Sequence, residues 1–90
     1  MSDGQPLPIL MYATPRCRDA RRARNRLQEL NIPFTEININ EDEAAARYVE
    51  QVNNGFRSVP TIVFGEEEFI LVEPSVKELD AGLRRAGYQV

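Results

Sequence analysis

Residues Ile9–Leu30, ILMYATPRCRDARRARNRLQEL, leave this chain little freedom in how its first half folds. Ile9-Leu10-Met11-Tyr12-Ala13 is an apolar run of strand length. Thr14-Pro15 breaks it, and a helix-period pattern starts at Cys17. Ala20, Ala23, Leu27 and Leu30 step by three and four, so they share one face of a helix over Cys17–Leu30. This order puts Cys17 at a strand-to-helix turn, where backbone N–H groups lack partners inside the helix and point outward. The positive end of the helix dipole favours an anion there, which for cysteine is the thiolate. Arg16 and Arg18 flank Cys17 and act in the same direction, while Asp19 opposes them. The placement points to a reactive cysteine more than a packed one.

The chain has 90 residues, enough for one small domain. A chain of this size buries roughly 60–65% of its unfolded surface, so one modest core is expected. Residues 1–8 read as a flexible leader, and residues 9–90 as a single domain. After Pro33 forbids continuation of the first helix, a second strand is expected over Phe34–Ile39. Asn40 is placed to cap a second helix, with Glu41, Asp42 and Glu43 in its first turn. Ala45, Tyr48, Val49 and Val52 supply its inner stripe, and Asn53-Asn54-Gly55 stops it. Thr61–Phe64 and Phe69–Val72 read as an antiparallel hairpin. Pro74 and Ser75 open a third helix with Val76, Leu79 and Leu83 inward; Gly82 weakens it and Gly87 ends it. The order β-α-β-α-β-β-α predicts an α/β fold. One parallel pair joined by a right-handed crossover is followed by a hairpin on the same four-stranded mixed sheet, with helices on both faces.

Charge and cysteine usage narrow the function. The net charge of −3 hides an asymmetry: Arg16, Arg18, Arg21, Arg22, Arg24 and Arg26 stand against Asp19 alone, and acidic triplets lie at 41–43 and 66–68. An anionic partner suits the basic segment, although Arg22 and Arg26 read chiefly as a solvated face. Nucleic acid is not expected, because no aromatics interleave with the arginines and the overall charge is negative. A single cysteine excludes an internal disulfide, and with no histidine the chain alone cannot build an ordinary structural zinc site. No apolar run approaches the ~18 residues needed to span a bilayer. Met1-Ser2-Asp3-Gly4-Gln5-Pro6 lacks the regions of a signal peptide, so no membrane association and a cytoplasmic location are expected.

Three motifs carry a family resemblance: Tyr12-Ala13-Thr14-Pro15-Arg16-Cys17, Ser58-Val59-Pro60-Thr61, and Glu73-Pro74-Ser75 at the start of the last helix. Together with the element order they resemble the thioredoxin fold, and within it the glutaredoxins, particularly the short mycoredoxin-like group, over about residues 9–86. The resemblance implies a thiol–disulfide oxidoreductase of the cytoplasm, monomeric and without a tightly bound cofactor or metal. Its partners would be a small thiol co-substrate (glutathione, mycothiol or bacillithiol) and disulfide-bearing proteins. It implies that Cys17 is the nucleophile. The Val59-Pro60 bond would be cis, presenting the N–H and C=O of Val59, both unpaired within the protein, to the substrate. It also implies substrate contacts from Arg16, Arg18, Arg57 and Ser75, with Arg57 placed to meet a carboxylate.

Two departures keep alternatives open. The usual Cys-x-x-Cys pair is Cys17-Arg18-Asp19-Ala20 here, and Ala20 cannot attack a mixed disulfide. A monothiol enzyme, a trapping variant of a dithiol glutaredoxin and a redox-inactive binding module of the same fold all fit that change. An iron–sulfur carrier fits less well, because the small residues of Cys-Gly-Phe-Ser are missing. The Gly-Gly pair common in glutaredoxins is replaced by Glu73-Pro74, which adds a charge and removes an N–H donor. That change disfavours glutathione among the small thiols.

Overall fold

The computed structural model describes residues 4–90; Met1, Ser2 and Asp3, the start of the expected leader, lie outside the described residues. Among the described residues the elements run β1 (Ile9–Ala13), α1 (Arg18–Glu29), β2 (Thr35–Asn38), α2 (Glu43–Val52), β3 (Thr61–Phe64), β4 (Phe69–Val72) and α3 (Val76–Arg85). The strands form one mixed sheet in the order β2-β1-β3-β4. β1 and β2 are parallel, with Tyr12 opposite Ile37. The other neighbours are antiparallel, with Tyr12 opposite Thr61 and Val63 opposite Ile70. This is the β-α-β-α-β-β-α arrangement expected from the sequence.

The two-residue period of β1 divides the core between the two faces of the sheet. Ile9, Met11 and Ala13 are buried with Ile62 and Phe64 of β3, Ala20, Ala23 and Leu27 of α1, and Leu79 and Leu83 of α3. Tyr12 turns the other way and packs with Ile37 and Val59 against Ala45, Ala46 and Val49 of α2. So α1 and α3 cover one face and α2 the other. Complete burial of a side chain such as Leu27 contributes on the order of 1.5–3 kcal/mol. Among the described residues no helix is long and apolar enough to cross a membrane.

The helix ends depart from the sequence reading in detail. α2 is capped by Asp42, whose carboxylate accepts the Ala45 N–H at 3.0 Å. Asn40 is not the cap: its N–H donates to the Asn38 side chain at 2.9 Å, so residues 38–40 are consumed by an Asx turn first. Val52 and Val76, assigned to inner faces, are each 37% exposed because they are the last residue of α2 and the first of α3. Gly82 has a packing role: a Cβ there would stand 2.6 Å from Leu71 Cδ1, so the glycine lets α3 close onto β4.

Arginines of α1 tie the layers together. Arg26 makes a two-pronged pair with Asp80 of α3 at 3.0 and 2.9 Å, and Arg24 makes one with Glu36 of β2. Arg26 is thus a bridge between helices and not the solvated face read from the sequence. Before β1, the Leu7 N–H donates to Ala86 O at 2.9 Å, the Tyr88 hydroxyl donates to Leu7 O at 2.7 Å, and the Gly65 N–H donates to Pro8 O at 2.8 Å.

Candidate active site

Three chain segments converge at the C-terminal end of β1. The first is the turn that carries Cys17. The Cys17 N–H donates back to Thr14 O at 3.3 Å, which closes the turn. Cys17 has extended backbone, φ −78° and ψ 120°, and is the N-cap of α1, one residue outside the helix. Its Sγ accepts the Ala20 N–H at 3.3 Å, in the way a serine or aspartate oxygen does at a helix start. The thiol is partly exposed.

The second segment is the loop from Asn53 to Pro60. The Val59–Pro60 peptide is cis. The loop is held by Thr61, the first residue of β3 and fully buried. Its hydroxyl donates to Ser58 O at 2.7 Å and accepts from Asn53 Nδ2 at 3.1 Å, while Asn53 also donates to Val49 O at 2.8 Å. The end of α2, the loop and the start of β3 are thereby locked to one another. The lock brings Val59 O to 3.5 Å from Cys17 Sγ. The Val59 N–H has no acceptor among the described residues.

Val59's carbonyl, expected to be unpaired, accepts instead from the Cys17 thiol. The S–H is a weak donor, and at 3.5 Å the contact is a long one. Ionisation of the thiol would remove the donated proton and leave this carbonyl without it.

The third segment is Glu73-Pro74-Ser75. The Glu73 N–H donates to Pro60 O at 2.9 Å, and Arg22 of α1 reaches Pro74 O at 3.4 Å. Glu73 has φ 49°, a left-handed conformation that suits glycine. Ser75 caps α3. Its hydroxyl accepts the Glu78 N–H at 3.1 Å, and its N–H donates to the Glu78 carboxylate at 2.8 Å.

Of the residues named from the sequence, Cys17, Val59 and Pro60 are brought together. Arg16 and Arg18 are exposed on either side of Cys17 and form no ion pair among the described residues. Arg57 is engaged elsewhere: its guanidinium is 2.6 Å from the Glu50 carboxylate, at the border of a recess that includes Glu41, Asp42 and Glu43. Ser75 is largely occupied by its capping role. Asn53, Thr61 and Arg22 read from the sequence as a helix stop, a strand start and a solvated face, not as site residues, yet they fix the walls of the site. One signal was present for Thr61, the single hydroxyl in the apolar strand Thr61-Ile62-Val63-Phe64. Behind the site the rings of Tyr12 and Tyr48 lie 5.1 Å apart. Burial raises both phenols above the ordinary value; the hydrogen bond to Glu67 adds to the rise at Tyr48. Both phenols therefore stay protonated at neutral pH.

A glutaredoxin family model matches residues 9–70. The chain belongs to the glutaredoxin family. Relatives in two strains of Mycobacterium tuberculosis, described as glutaredoxins, are 35% identical over 75 residues, which is 83% of this chain and 88% of theirs. The crystal structure of a glutaredoxin from Archaeoglobus fulgidus superposes with a TM-score of 0.68 at 25% identity, covering 88% of this chain and 87% of that one. The solution structure of a glutaredoxin from Brucella melitensis, at 18% identity, shares the fold, with a TM-score of 0.65 over 99% of this chain and 100% of its own. Glutaredoxin membership and the thioredoxin-like fold support a role in thiol–disulfide exchange.

Proposed function

We propose that this glutaredoxin removes a small thiol from mixed disulfides on proteins by a monothiol mechanism through Cys17. The observation that carries the reading is the position of Sγ. It sits at the N-cap of α1, takes the Ala20 N–H, and stands 3.5 Å from the carbonyl of Val59. In the first step the Cys17 thiolate attacks the small-thiol sulfur of a protein–S–S–R disulfide. A Cys17–S–S–R bond forms, the old S–S bond breaks, and the protein sulfur leaves as a thiolate that takes a proton. In the second step a free RSH, as its thiolate, attacks the same small-thiol sulfur. R–S–S–R departs and the Cys17 thiolate is regenerated. Val59 would hold the substrate backbone strand-fashion through its free N–H and the released carbonyl. Arg16 and Arg18 would favour the thiolate through space. Ser75 and Arg57 would contribute at the rim, Arg57 after exchanging Glu50 for a ligand carboxylate.

The chain has one cysteine, and the position three residues on is Ala20, so no internal disulfide can complete a dithiol cycle. Among the small thiols, Glu73 and Pro74 weigh against one that places a carboxylate on the third wall, as glutathione would. Mycothiol and bacillithiol are the candidates to set beside it. A lone thiol of this kind is kept reduced in the cytoplasm, where we place the protein as a monomer. The test is turnover of one peptide mixed disulfide prepared with each of the three thiols. We expect exchange with at least one of them, and a loss of about a hundredfold or more in Cys17→Ser, because the oxygen nucleophile cannot carry the step. Absence of turnover with all three would leave the site without this function.

A further inference from the structure

A basic groove continues from the exchange site along α1, and most of it lies beyond the reacting sulfur. Arg18, Arg21, Arg22, Asn25, Arg26, Val76 and one carboxylate, Glu29, line a depression of about 440 Å³ along α1. Arg22 is committed to Asp19 and the Pro74 carbonyl, and Arg26 to Asp80 and Glu29. Arg18 and Arg21 form no ion pair among the described residues and are exposed. Three residues apart on a helix, they face the same way. Val76 supplies an exposed apolar group at the end of the groove. The acidic clusters lie elsewhere: Glu41, Asp42 and Glu43 precede and open α2 on the other sheet face, and Glu66, Glu67 and Glu68 form the β3–β4 turn. A negatively charged chain is attracted to the groove and repelled by the two acidic clusters.

We propose that this groove docks an acidic, extended segment of the disulfide-bearing protein, with Arg18 and Arg21 on its carboxylates and Val76 under an apolar side chain. The proposal rests on Cys17 exchange as the function. Arg21 lies four residues beyond Cys17, about 6 Å along the helix axis. An extended chain advances about 3.3 Å per residue. Arg18 and Arg21 thus start within about two residues of the target cysteine along the docked chain, and their long side chains carry the guanidinium groups further along it.

The test separates docking from chemistry. A fluorescein-labelled peptide carries serine in place of the target cysteine and glutamates at the second, third and fourth positions from it; a second peptide carries lysines there. Fluorescence anisotropy with the whole protein should show binding of the glutamate peptide only, weakening as salt rises from about 50 to about 200 mM. Arg21→Glu, with circular dichroism unchanged, should weaken that binding about fivefold, whereas Arg47→Glu, the same charge change on α2, should leave it within about twofold. Equal binding of both peptides, or equal effects of the two substitutions, overturns the proposal. So does sedimentation showing self-association lost in Arg21→Glu, which would assign the groove to the 66–68 turn of a second copy. Turnover of an uncharged mixed disulfide by the wild-type protein is measured in parallel. Its absence beside selective peptide binding would remove the exchange reading and leave docking in place; its presence without selective binding would do the reverse.

Discussion

Replacing Thr61 by valine keeps the shape of a fully buried side chain and removes one hydroxyl. The structure gives that hydroxyl two bonds, to Ser58 O at 2.7 Å and from Asn53 Nδ2 at 3.1 Å. Each is worth about 0.5–1.5 kcal/mol net, so their loss costs on the order of 1–3 kcal/mol. The added methyl recovers part of this through burial, about 0.8 kcal/mol for a methylene-sized group. Asn53 keeps Val49 O as a partner, so most of the penalty falls on the Ser58 carbonyl, which no other donor reaches among the described residues. The net destabilisation is about 1–2 kcal/mol, which lowers Tm by about 4–16 °C for a domain of this size. Urea unfolding followed by circular dichroism measures it as a lower midpoint with an unchanged slope. The same loss frees the loop that holds Val59 beside Cys17. Exchange on a peptide mixed disulfide should fall severalfold, while alkylation of Cys17 by iodoacetamide, which needs no backbone partner, changes little. Stability within about 0.5 kcal/mol of wild type, together with unchanged exchange, would refute the role given to Thr61.

Three further outcomes follow from the same geometry. Glu73→Gly removes a side chain from a residue at φ 49°, which should stabilise the protein by about 0.5–1 kcal/mol in urea unfolding. By deleting a charge, the same change should also raise exchange with the glutathione mixed disulfide relative to the mycothiol one. The Asp80 carboxyl is held below its ordinary value by the hydrogen bonds from Arg26. Its contribution to stability is therefore present above the unfolded carboxylate pKa of about 3.9 and is lost as pH falls through the folded value. Asp80→Asn should accordingly show a flatter decline in stability below about pH 4 than wild type. Ala20→Cys places a second sulfur in the core next to the first. Mild oxidation should give a protein lighter by two hydrogens, and the reduced form should be less stable by about 1–3 kcal/mol, because Ala20 is fully buried in the core and a larger side chain must displace its neighbours.

The parts of the fold that were legible are those where pattern and punctuation agree. The bounds of β1, β3 and β4 match the apolar runs because Thr14-Pro15, Val59-Pro60 and Gly65 leave little choice of boundary. α2 began later than expected because Asn38, Asn40 and Asp42 are all able caps, and only the turn closed by Asn38 decides among them. The tethers Arg26–Asp80 and Arg24–Glu36 were hidden for another reason. Their partners are 54 and 12 residues away, and charge composition does not say which arginine meets which carboxylate. In the site, the place of Cys17 followed from strand, turn and helix period alone. The engagement of Val59's carbonyl did not, since it depends on how Thr61 and Asn53 set the loop. Nor did the pairing of Arg57 with Glu50, a contact between a loop and a helix face whose register only the folded chain defines.

The central claim is that the Cys17 sulfur takes the small thiol and passes it on, with no other group of the chain bonded to it on the way. Intact-mass spectrometry of the protein, acid-quenched during turnover of a peptide mixed disulfide, tests it most directly. The account predicts a single adduct of the small thiol on wild-type protein, mapped to Cys17, discharged when the free thiol is added, and absent from Cys17→Ser. Turnover by Cys17→Ser at the wild-type rate, or an adduct on Cys17 that free thiol does not discharge, would contradict it.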